Sequence, residues 1–190
     1  MKKVFIDCGA NIGQSIAKFV QRWKDYNEYE IHSFEPHPNL SDNIINTARK
    51  HKLENFYFHN EAISDSDGEF DFYLAGNKIG SSLENGKDNI DLNKKILVKT
   101  IDLSKWIADN FLKDDYIILK LDIEGSEFKV MKRLFETNII EYIDEIYLEL
   151  HSEEKVRVGK VLREEVNKLI SDCSTTKIYT NKNGGLNFTK

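Results

Sequence analysis

The stretch KVFIDCGANIG, residues 3–13, decides how this chain folds. Residues 3–7 form a short, largely apolar run that predicts a buried β-strand. Apolar residues then recur at helical spacing from Ile12 to Trp23, which predicts a helix directly after the turn. A glycine-rich turn between a strand and a helix lets the backbone approach a ligand closely. We therefore expect this turn to belong to a binding site.

The remainder of the chain alternates between strand-like and helix-like segments. Further strands are predicted at residues 30–34, 56–63, 68–74, 96–101, 116–122 and 143–150, and further helices at residues 39–50, 103–111, 127–135 and 154–170. Loop-forming residues concentrate between 76 and 95, and Asn183-Gly184-Gly185 predicts a terminal hairpin of residues 177–180 and 186–189. The pattern predicts an α/β, Rossmann-like fold: a mostly parallel sheet with helices on both faces and an antiparallel terminal hairpin. Ligands of such sheets bind beyond the carboxyl ends of the strands.

The composition is that of one globular domain, which we expect to span residues 1–190. The chain carries a net charge of −5, and this acidic balance disfavours nucleic acid as a partner. No apolar run approaches the roughly 18 residues of a membrane span, and the first residues form no apolar leader. Two cysteines, Cys8 and Cys173, make no disulfide framework, so a reducing cytoplasmic location is expected. The chain opens directly on a strand, which is compatible with excision from a larger protein.

Two acidic residues help to identify the ligand of the glycine-rich turn. Glu35 ends the second predicted strand about 20 residues after Gly13, an offset at which a carboxylate accepts hydrogen bonds from ribose hydroxyls. The glycines Gly9 and Gly13 form G-x-x-x-G, not the G-x-G-x-x-G of dinucleotide sites. Asp7, just before them, would repel a pyrophosphate but attract the ammonium group of S-adenosylmethionine. The sequence thus favours S-adenosylmethionine, with a nicotinamide-dependent oxidoreductase as the alternative.

Several motifs together resemble a known family. They are Asp7-Cys8-Gly9-Ala10-Asn11-Ile12-Gly13, Phe34-Glu35-Pro36, Ala62-Ile63-Ser64 and Leu119-Lys120-Leu121-Asp122-Ile123-Glu124-Gly125-Ser126-Glu127. The combination is similar to the FkbM family of S-adenosylmethionine-dependent methyltransferases, and the resemblance spans residues 3 to about 150. It implies a class I methyltransferase fold with a seven-stranded sheet. It also implies methyl transfer to oxygen, often to a hydroxyl group of a sugar or a natural product.

The resemblance implies roles for individual residues at the cofactor. Asp7, Gly9, Asn11 and Gly13 would surround the methionine part, Gln14 and Ser15 would bind its carboxylate, Glu35 would hold the ribose, and Glu61 and Ala62 would lie at the adenine. Asp122 is a further candidate for cofactor binding. Two alternatives stay open, namely Asn11 as a cap of the first helix and Glu61 as an ordinary surface charge. The resemblance also implies that Gly80-Ser81-Ser82 lies by the active site, and a flexible lid is the equal alternative for this segment.

Acidic residues and one histidine follow two predicted strands that should be neighbours. One strand ends in Asp122, with Glu124 just after it, and the next ends in Glu149-Leu150-His151, so the side chains of Asp122, Glu124, Glu149 and His151 are expected to converge near the transferred methyl group. Oxygen and nitrogen ligands of this kind suit Mg²⁺ or Mn²⁺. We predict a divalent ion held by Asp122, Glu149 and His151, which would lower the pKa of the acceptor hydroxyl. The alternatives are a metal-free site with His151 or Asp122 as general base, and ordinary loop residues.

Lys120 lies two residues before Asp122, on the same face of a predicted strand. Its charge is expected to neutralise the nearby acids, and a lysine base with a lowered pKa is the alternative. A Lys–Asp pair also occurs in RNA 2′-O-methyltransferases, but the acidic balance argues against RNA. The sequence thus predicts catalytic roles for Lys120, Asp122, Glu149 and His151 in methyl transfer to a sugar or glycan. A metal-free enzyme acting on a natural product, and a non-catalytic binding module, are further alternatives; the oligomeric state stays open.

Overall fold

The structure is a computed structural model that describes residues 1–76 and 80–181. The strands are β1 (Lys3–Cys8), β2 (Tyr29–Phe34), β3 (Phe56–His59), β4 (Ala62–Ser64), β5 (Gly68–Ala75), β6 (Ile90–Asp102), β7 (Tyr116–Leu121), β8 (Glu145–Glu149) and β9 (Lys177–Asn181). The helices are α1 (Gln14–Arg22), α2 (Ser41–Lys50), α3 (Leu103–Asn110), α4 (Glu127–Glu136) and α5 (Lys160–Asp172). Short 3₁₀ turns lie at Tyr26–Glu28, Pro38–Leu40 and Ile139–Tyr142.

Six strands form the main sheet in the order β3-β2-β1-β7-β8-β9, and each neighbouring pair is parallel. The predicted α/β class with a mostly parallel sheet is confirmed, but among residues 1–76 and 80–181 the sheet has six strands and not seven. β9, the first arm of the predicted hairpin, pairs in parallel with β8, because α5 carries the chain back across the sheet before β9 begins. The second arm, residues 186–189, lies outside the described residues.

A second, smaller sheet holds β4, β6 and β5 in that order. The single strand predicted at residues 56–63 is therefore wrong, because it divides into β3 of the main sheet and β4 of the small sheet. β5 runs antiparallel to β6. β6 begins at Ile90, so the strand takes up the end of the loop predicted at residues 76–95.

The core lies on both faces of the main sheet. Val4 and Ile6 of β1 pack in one cluster with residues of α3, α4 and α5. Phe5, which points to the other face, stacks on Phe19 of α1 with ring centroids 4.1 Å apart. Burial on both faces explains why β1 and β7 read as nearly continuous apolar runs. Within the described ranges, no helix is long and apolar enough to cross a membrane.

Candidate active site

A cavity of about 250 Å³ opens at the carboxyl ends of β1, β2, β7 and β8. The strand order reverses here, since β1 lies between β2 and β7, and ligands of open parallel sheets bind at such a point. The small sheet and the segment between β5 and β6 supply an apolar wall through Ile63, Phe72 and Leu83. The polar lining consists of Asn11, Gln14, Ser15, Lys18, Glu35, His37, Ser81, Lys120, Asp122, Glu124 and Glu149.

The tips of β1 and β7 come into direct contact at Gly9. This residue has φ +82°, and an added Cβ would stand 1.9 Å from the carbonyl oxygen of Asp122. Gly13, with φ +85°, directly precedes α1, and its Cβ would stand 3.0 Å from Thr47. Both glycines are thus required for contacts within the protein. The sequence indicated only that they let a ligand approach the backbone.

Lys120 joins these two strand tips from within. Its Nζ donates to the carbonyl oxygens of Cys8 at 3.1 Å and Gly9 at 2.6 Å. It also lies 3.4 Å from Asp7 Oδ1 and 3.6 Å from Asp122 Oδ2. Burial by itself would lower the pKa of Lys120, but the carboxylates of Asp122 and Asp7 outweigh burial and raise it. The geometry therefore favours the neutralising role over that of a lysine base.

Asp7 is fully buried behind the cavity wall and does not line the cavity. Its Oδ2 accepts a hydrogen bond from the Ser15 hydroxyl at 2.5 Å. Burial raises the pKa of Asp7, although Lys120 and Ser15 act in the opposite direction. Asp7 and Ser15 thus bind each other here, and only Ser15 also reaches the cavity.

Asn11 and Gln14 lie on the cavity wall after β1. Asn11 has φ +51°, and its buried Oδ1 accepts no hydrogen bond from any part of the chain that the structure describes. α1 begins after Gly13 without a side-chain cap, so Asn11 does not cap this helix. A buried acceptor without a donor is costly. A ligand that brings a donor to the cavity would therefore fit beside Asn11.

Glu35 ends β2 and lines the cavity while almost fully buried. Its Oε2 accepts the backbone N–H of Asn11 and its Oε1 that of His37, each at 2.9 Å. Burial raises the pKa of Glu35, and the two N–H donors partly offset this. Each carboxylate oxygen can accept more than one hydrogen bond, so a ribose can still bind here.

The two residues predicted at the adenine lie apart. Ala62 of β4 lines the cavity, whereas Glu61 is not part of its lining. Glu61 Oε1 instead accepts a hydrogen bond from Lys99 Nζ at 2.6 Å, and Glu61 Oε2 lies 3.9 Å from His59. The geometry thus favours Glu61 as a paired charge outside the cavity.

Four charged side chains form what we call the ion-pair chain: Lys87, Glu124, His151 and Glu127. His151 places Nδ1 3.1 Å from Glu127 Oε1 and Nε2 3.1 Å from Glu124 Oε2. Lys87 Nζ donates to the same Glu124 Oε2 at 2.7 Å. Burial would lower the pKa of His151, but the two carboxylates raise it to about 10. Burial would raise the pKa of Glu124, but hydrogen bonds from His151 and Lys87 lower it to about 2.

Glu127 also shapes the loop between β7 and α4. Its Oε1 accepts the N–H of Ile123 and its Oε2 that of Gly125, each at 2.8 Å. Within this loop Glu124 adopts φ +61° and Gly125 adopts φ +124°. The motif at residues 119–127 thus ends in a tightly hydrogen-bonded loop that presents Asp122 and Glu124 to the cavity.

A segment that we call the strap, residues 80–88, lies across this loop. Ser82 Oγ donates to the carbonyl oxygen of Glu124 at 2.7 Å, and Ser126 Oγ donates to Glu84 at 2.9 Å. Gly86 accepts the N–H of Arg157 at 3.2 Å, which ties the strap to the segment after β8. Ser81 faces the cavity. The strap therefore links the cavity wall to the ends of β7 and β8.

The structure groups a different set of possible metal ligands from the predicted one. Ligand atoms of Asp122, Glu127 and His151 lie within 4.8 Å of one another, and Glu149 lines the cavity at the end of β8. A histidine ligand needs a deprotonated ring nitrogen, but both nitrogens of His151 face carboxylates. Both oxygens of Glu127 already accept backbone N–H groups. In this conformation the set does not fit a divalent ion.

Sequence reasoning missed several residues of the site. Phe72 and Leu83 reach the cavity from the small sheet and the strap, and Lys18 reaches it from the second turn of α1. No local sequence pattern shows that Phe72 lines a cavity formed between two sheets. Glu127 stood in the quoted motif, and its hydrogen bonds to the loop become visible only in three dimensions.

The fold and site together define an α/β protein with a candidate ligand site at the switch point of a parallel sheet. A family model described as "Methyltransferase FkbM domain" matches residues 7–174. The chain therefore belongs to the FkbM methyltransferase family, and the resemblance read from its motifs is confirmed. No curated protein and no solved structure matches the chain significantly.

Proposed function

We propose that this methyltransferase transfers the methyl group of S-adenosylmethionine to a hydroxyl group of a sugar or glycan. The observation that carries the proposal is the convergence of Asn11, Glu35 and Asp122 on one cavity from the tips of three parallel strands. Their acceptor oxygens, including the unpartnered Oδ1 of Asn11, suit the ammonium and ribose hydroxyls of this cofactor. The same oxygens would repel the diphosphate of a nicotinamide dinucleotide.

The residues that line the cavity have different roles in this proposal. Asn11, Gln14, Ser15, Glu35 and Ala62 would hold the cofactor, which supplies a methyl group on a positively charged sulfur. Asp122 lines the cavity at the tip of β7, where we assign to it the removal of the acceptor hydroxyl proton. Lys120 balances its charge from 3.6 Å. His151 acts through Glu124 and Glu127 as a positioning residue, and Glu149 offers a further acceptor of hydrogen bonds to the sugar.

The predicted divalent ion has its own test. Activity is measured after dialysis against EDTA and again after Mn²⁺ is added back. We expect activity to survive chelation, because His151 and Glu127 already bind other groups of the chain. Loss of activity on chelation, restored by Mn²⁺, would instead establish the ion and require the ion-pair chain to rearrange.

Calorimetry with S-adenosylhomocysteine and NAD⁺, together with the variant Asp122→Asn, tests the proposal. We expect S-adenosylhomocysteine to bind and NAD⁺ not to bind. Asp122→Asn should lower kcat by roughly 10²- to 10⁴-fold, the usual contribution of a general base, while cofactor-product affinity stays within about threefold. The exposed Asp114→Asn is the matched control.

The binding measurement and the turnover measurement can each contradict the proposal. Binding of NAD⁺ without binding of S-adenosylhomocysteine would reject the cofactor. Undiminished turnover in Asp122→Asn would reject the assignment of the base.

A further inference from the structure

We propose that Glu124 selects the acceptor by binding a hydroxyl group next to the one that is methylated, so that the acceptor carries a vicinal diol. This inference rests on the proposed function and adds to it a specificity residue and a substrate class. Glu124 lines the same cavity as Asp122, and the two residues lie two positions apart on one loop.

The first argument is the way in which the Glu124 carboxylate is held. Lys87 Nζ and His151 Nε2 both contact Oε2, at 2.7 and 3.1 Å. Both cations are buried, with side chains about 5% exposed, whereas that of Glu124 is 25% exposed. One oxygen is thus anchored by two buried charges, and none of these contacts within the described part of the chain uses Oε1, which can accept from a donor in the cavity. A carboxylate fixed at one oxygen presents the other in a constant position, as a specificity contact requires.

The second argument is the backbone of Glu124. A non-glycine residue at φ +61° is costly and persists only where its surroundings determine it, as they often do at ligand sites. The surroundings here are the Ser82 hydroxyl on the Glu124 carbonyl oxygen and the Glu127 carboxylate on the flanking amides of Ile123 and Gly125. Several independent contacts therefore hold the carboxylate in place before any ligand arrives.

The third argument is the pairing of Glu124 with Asp122. Each presents carboxylate oxygens, which accept hydrogen bonds and donate none when ionised. Two such groups on one wall suit a ligand with two adjacent donors, as in neighbouring hydroxyls of a sugar ring. Because Asp122 contacts the hydroxyl group that reacts, we assign Glu124 to the hydroxyl group next to it.

The test crosses an enzyme variant with a substrate analogue. Labelled methyl transfer is measured on methyl glycosides of glucose, galactose, mannose and rhamnose. The best acceptor is then compared with its analogues that lack the hydroxyl on either side of the methylated one. For wild type we expect one analogue to raise KM by roughly tenfold or more, the usual cost of losing a hydrogen bond to a charged group.

Glu124→Gln supplies the other half of the test. We expect it to raise KM for the full sugar by a similar factor, with S-adenosylhomocysteine affinity unchanged. In Glu124→Gln the same analogue should raise KM little further, because the missing hydroxyl group and the missing carboxylate belong to one contact. Glu54→Gln, on an exposed residue, is the matched control and should retain the full sensitivity to the analogue.

The outcomes separate this inference from the proposed function. If neither deoxy analogue raises the wild-type KM, or if the two changes multiply in Glu124→Gln, Glu124 does not bind the neighbouring hydroxyl. The wild-type comparison decides the point even if the variant does not fold. If S-adenosylhomocysteine binds and a glycoside accepts a methyl group, a failed analogue comparison rejects the diol inference alone. If S-adenosylhomocysteine does not bind, or if no glycoside accepts a methyl group, the proposed function falls.

Discussion

Gly9 shows how little freedom a single residue has at a switch point. Its left-handed backbone and its contact with the Asp122 carbonyl oxygen leave no room for a side chain. The left-handed conformation alone costs a residue with a side chain about 1–2 kcal/mol. The clash with β7 adds to this cost, since backbone on both sides must move apart.

We therefore expect Gly9→Ala to lower the free energy of unfolding by at least about 2 kcal/mol and to weaken S-adenosylhomocysteine binding. Urea denaturation and calorimetry measure the two effects. Gly76→Ala is the control, because an added Cβ at Gly76 meets no atom of the described residues within 4 Å. Equal stability of the two variants would show that the tips of β1 and β7 separate without cost.

His32 is a partly buried histidine outside the candidate site. Its Nδ1 lies 3.1 Å from Nε2 of His59, and its ring stacks on Tyr57 and meets Trp106 edge-on. Burial, with smaller effects from the charges of His59 and Lys2, lowers the pKa of His32 from 6.5 to about 4. Between these two values the unfolded chain binds a proton that the folded protein does not.

This difference in proton binding makes the folded protein less stable at acidic pH. Because the unfolded state binds more protons, stability falls as the pH decreases from about 6.5 to about 4, and His32 contributes no further change below that. The loss is at most about 3 kcal/mol. Urea denaturation across this range should show a shallower slope for His32→Asn, with His51→Gln as the control. An unchanged slope in His32→Asn would assign the pH dependence to other groups.

At the level of elements, the strap depends on one buried lysine. Lys87 reaches Glu124 on the loop after β7, and its backbone forms an isolated bridge with Val156 after β8. Removing its charge leaves the Glu124 carboxylate with His151 as its remaining cation among these contacts. A broken buried ion pair destabilises the segments that it joins.

We expect Lys87→Met to speed hydrogen exchange of residues 80–88 by roughly tenfold or more, because local opening needs less free energy. Acceptor KM should also rise, while S-adenosylhomocysteine affinity stays the same. Lys95→Met, which breaks the exposed pair with Asp71, is the control. Unchanged exchange in Lys87→Met would show that the backbone contacts alone hold the strap.

The elements differ in how far the sequence predicts them. β1 and β7 were predictable because strands buried on both faces must be apolar throughout. Residues 56–63 also read as one strand, yet they serve two sheets. No local pattern marks the division at residues 60 and 61, because it depends on where β6 pairs with β4, some forty residues further along the chain.

For the whole molecule, the sequence predicted where the site lies better than how its residues bind. The carboxyl ends of parallel strands meet at one edge, so Glu35, Asp122 and Glu149 were expected together, and all three line the cavity. Which carboxylate reaches His151 depends on the turn after β7, whose left-handed residues the sequence does not specify. The carboxylate grouped with Asp122 and His151 is therefore that of Glu127, whereas the sequence predicted Glu149 in this place.

β1 lies inside the finished sheet, with β2 on one side and β7 on the other. During translation β1 emerges well before β7, so the edge of β1 that pairs with β7, from Lys3 opposite Tyr116 onward, stays uncovered until β7 has been made. Until then an apolar strand edge is open to pairing with other chains. The nascent polypeptide should consequently need chaperone protection until β7 has been translated, and fragments that stop before it should aggregate.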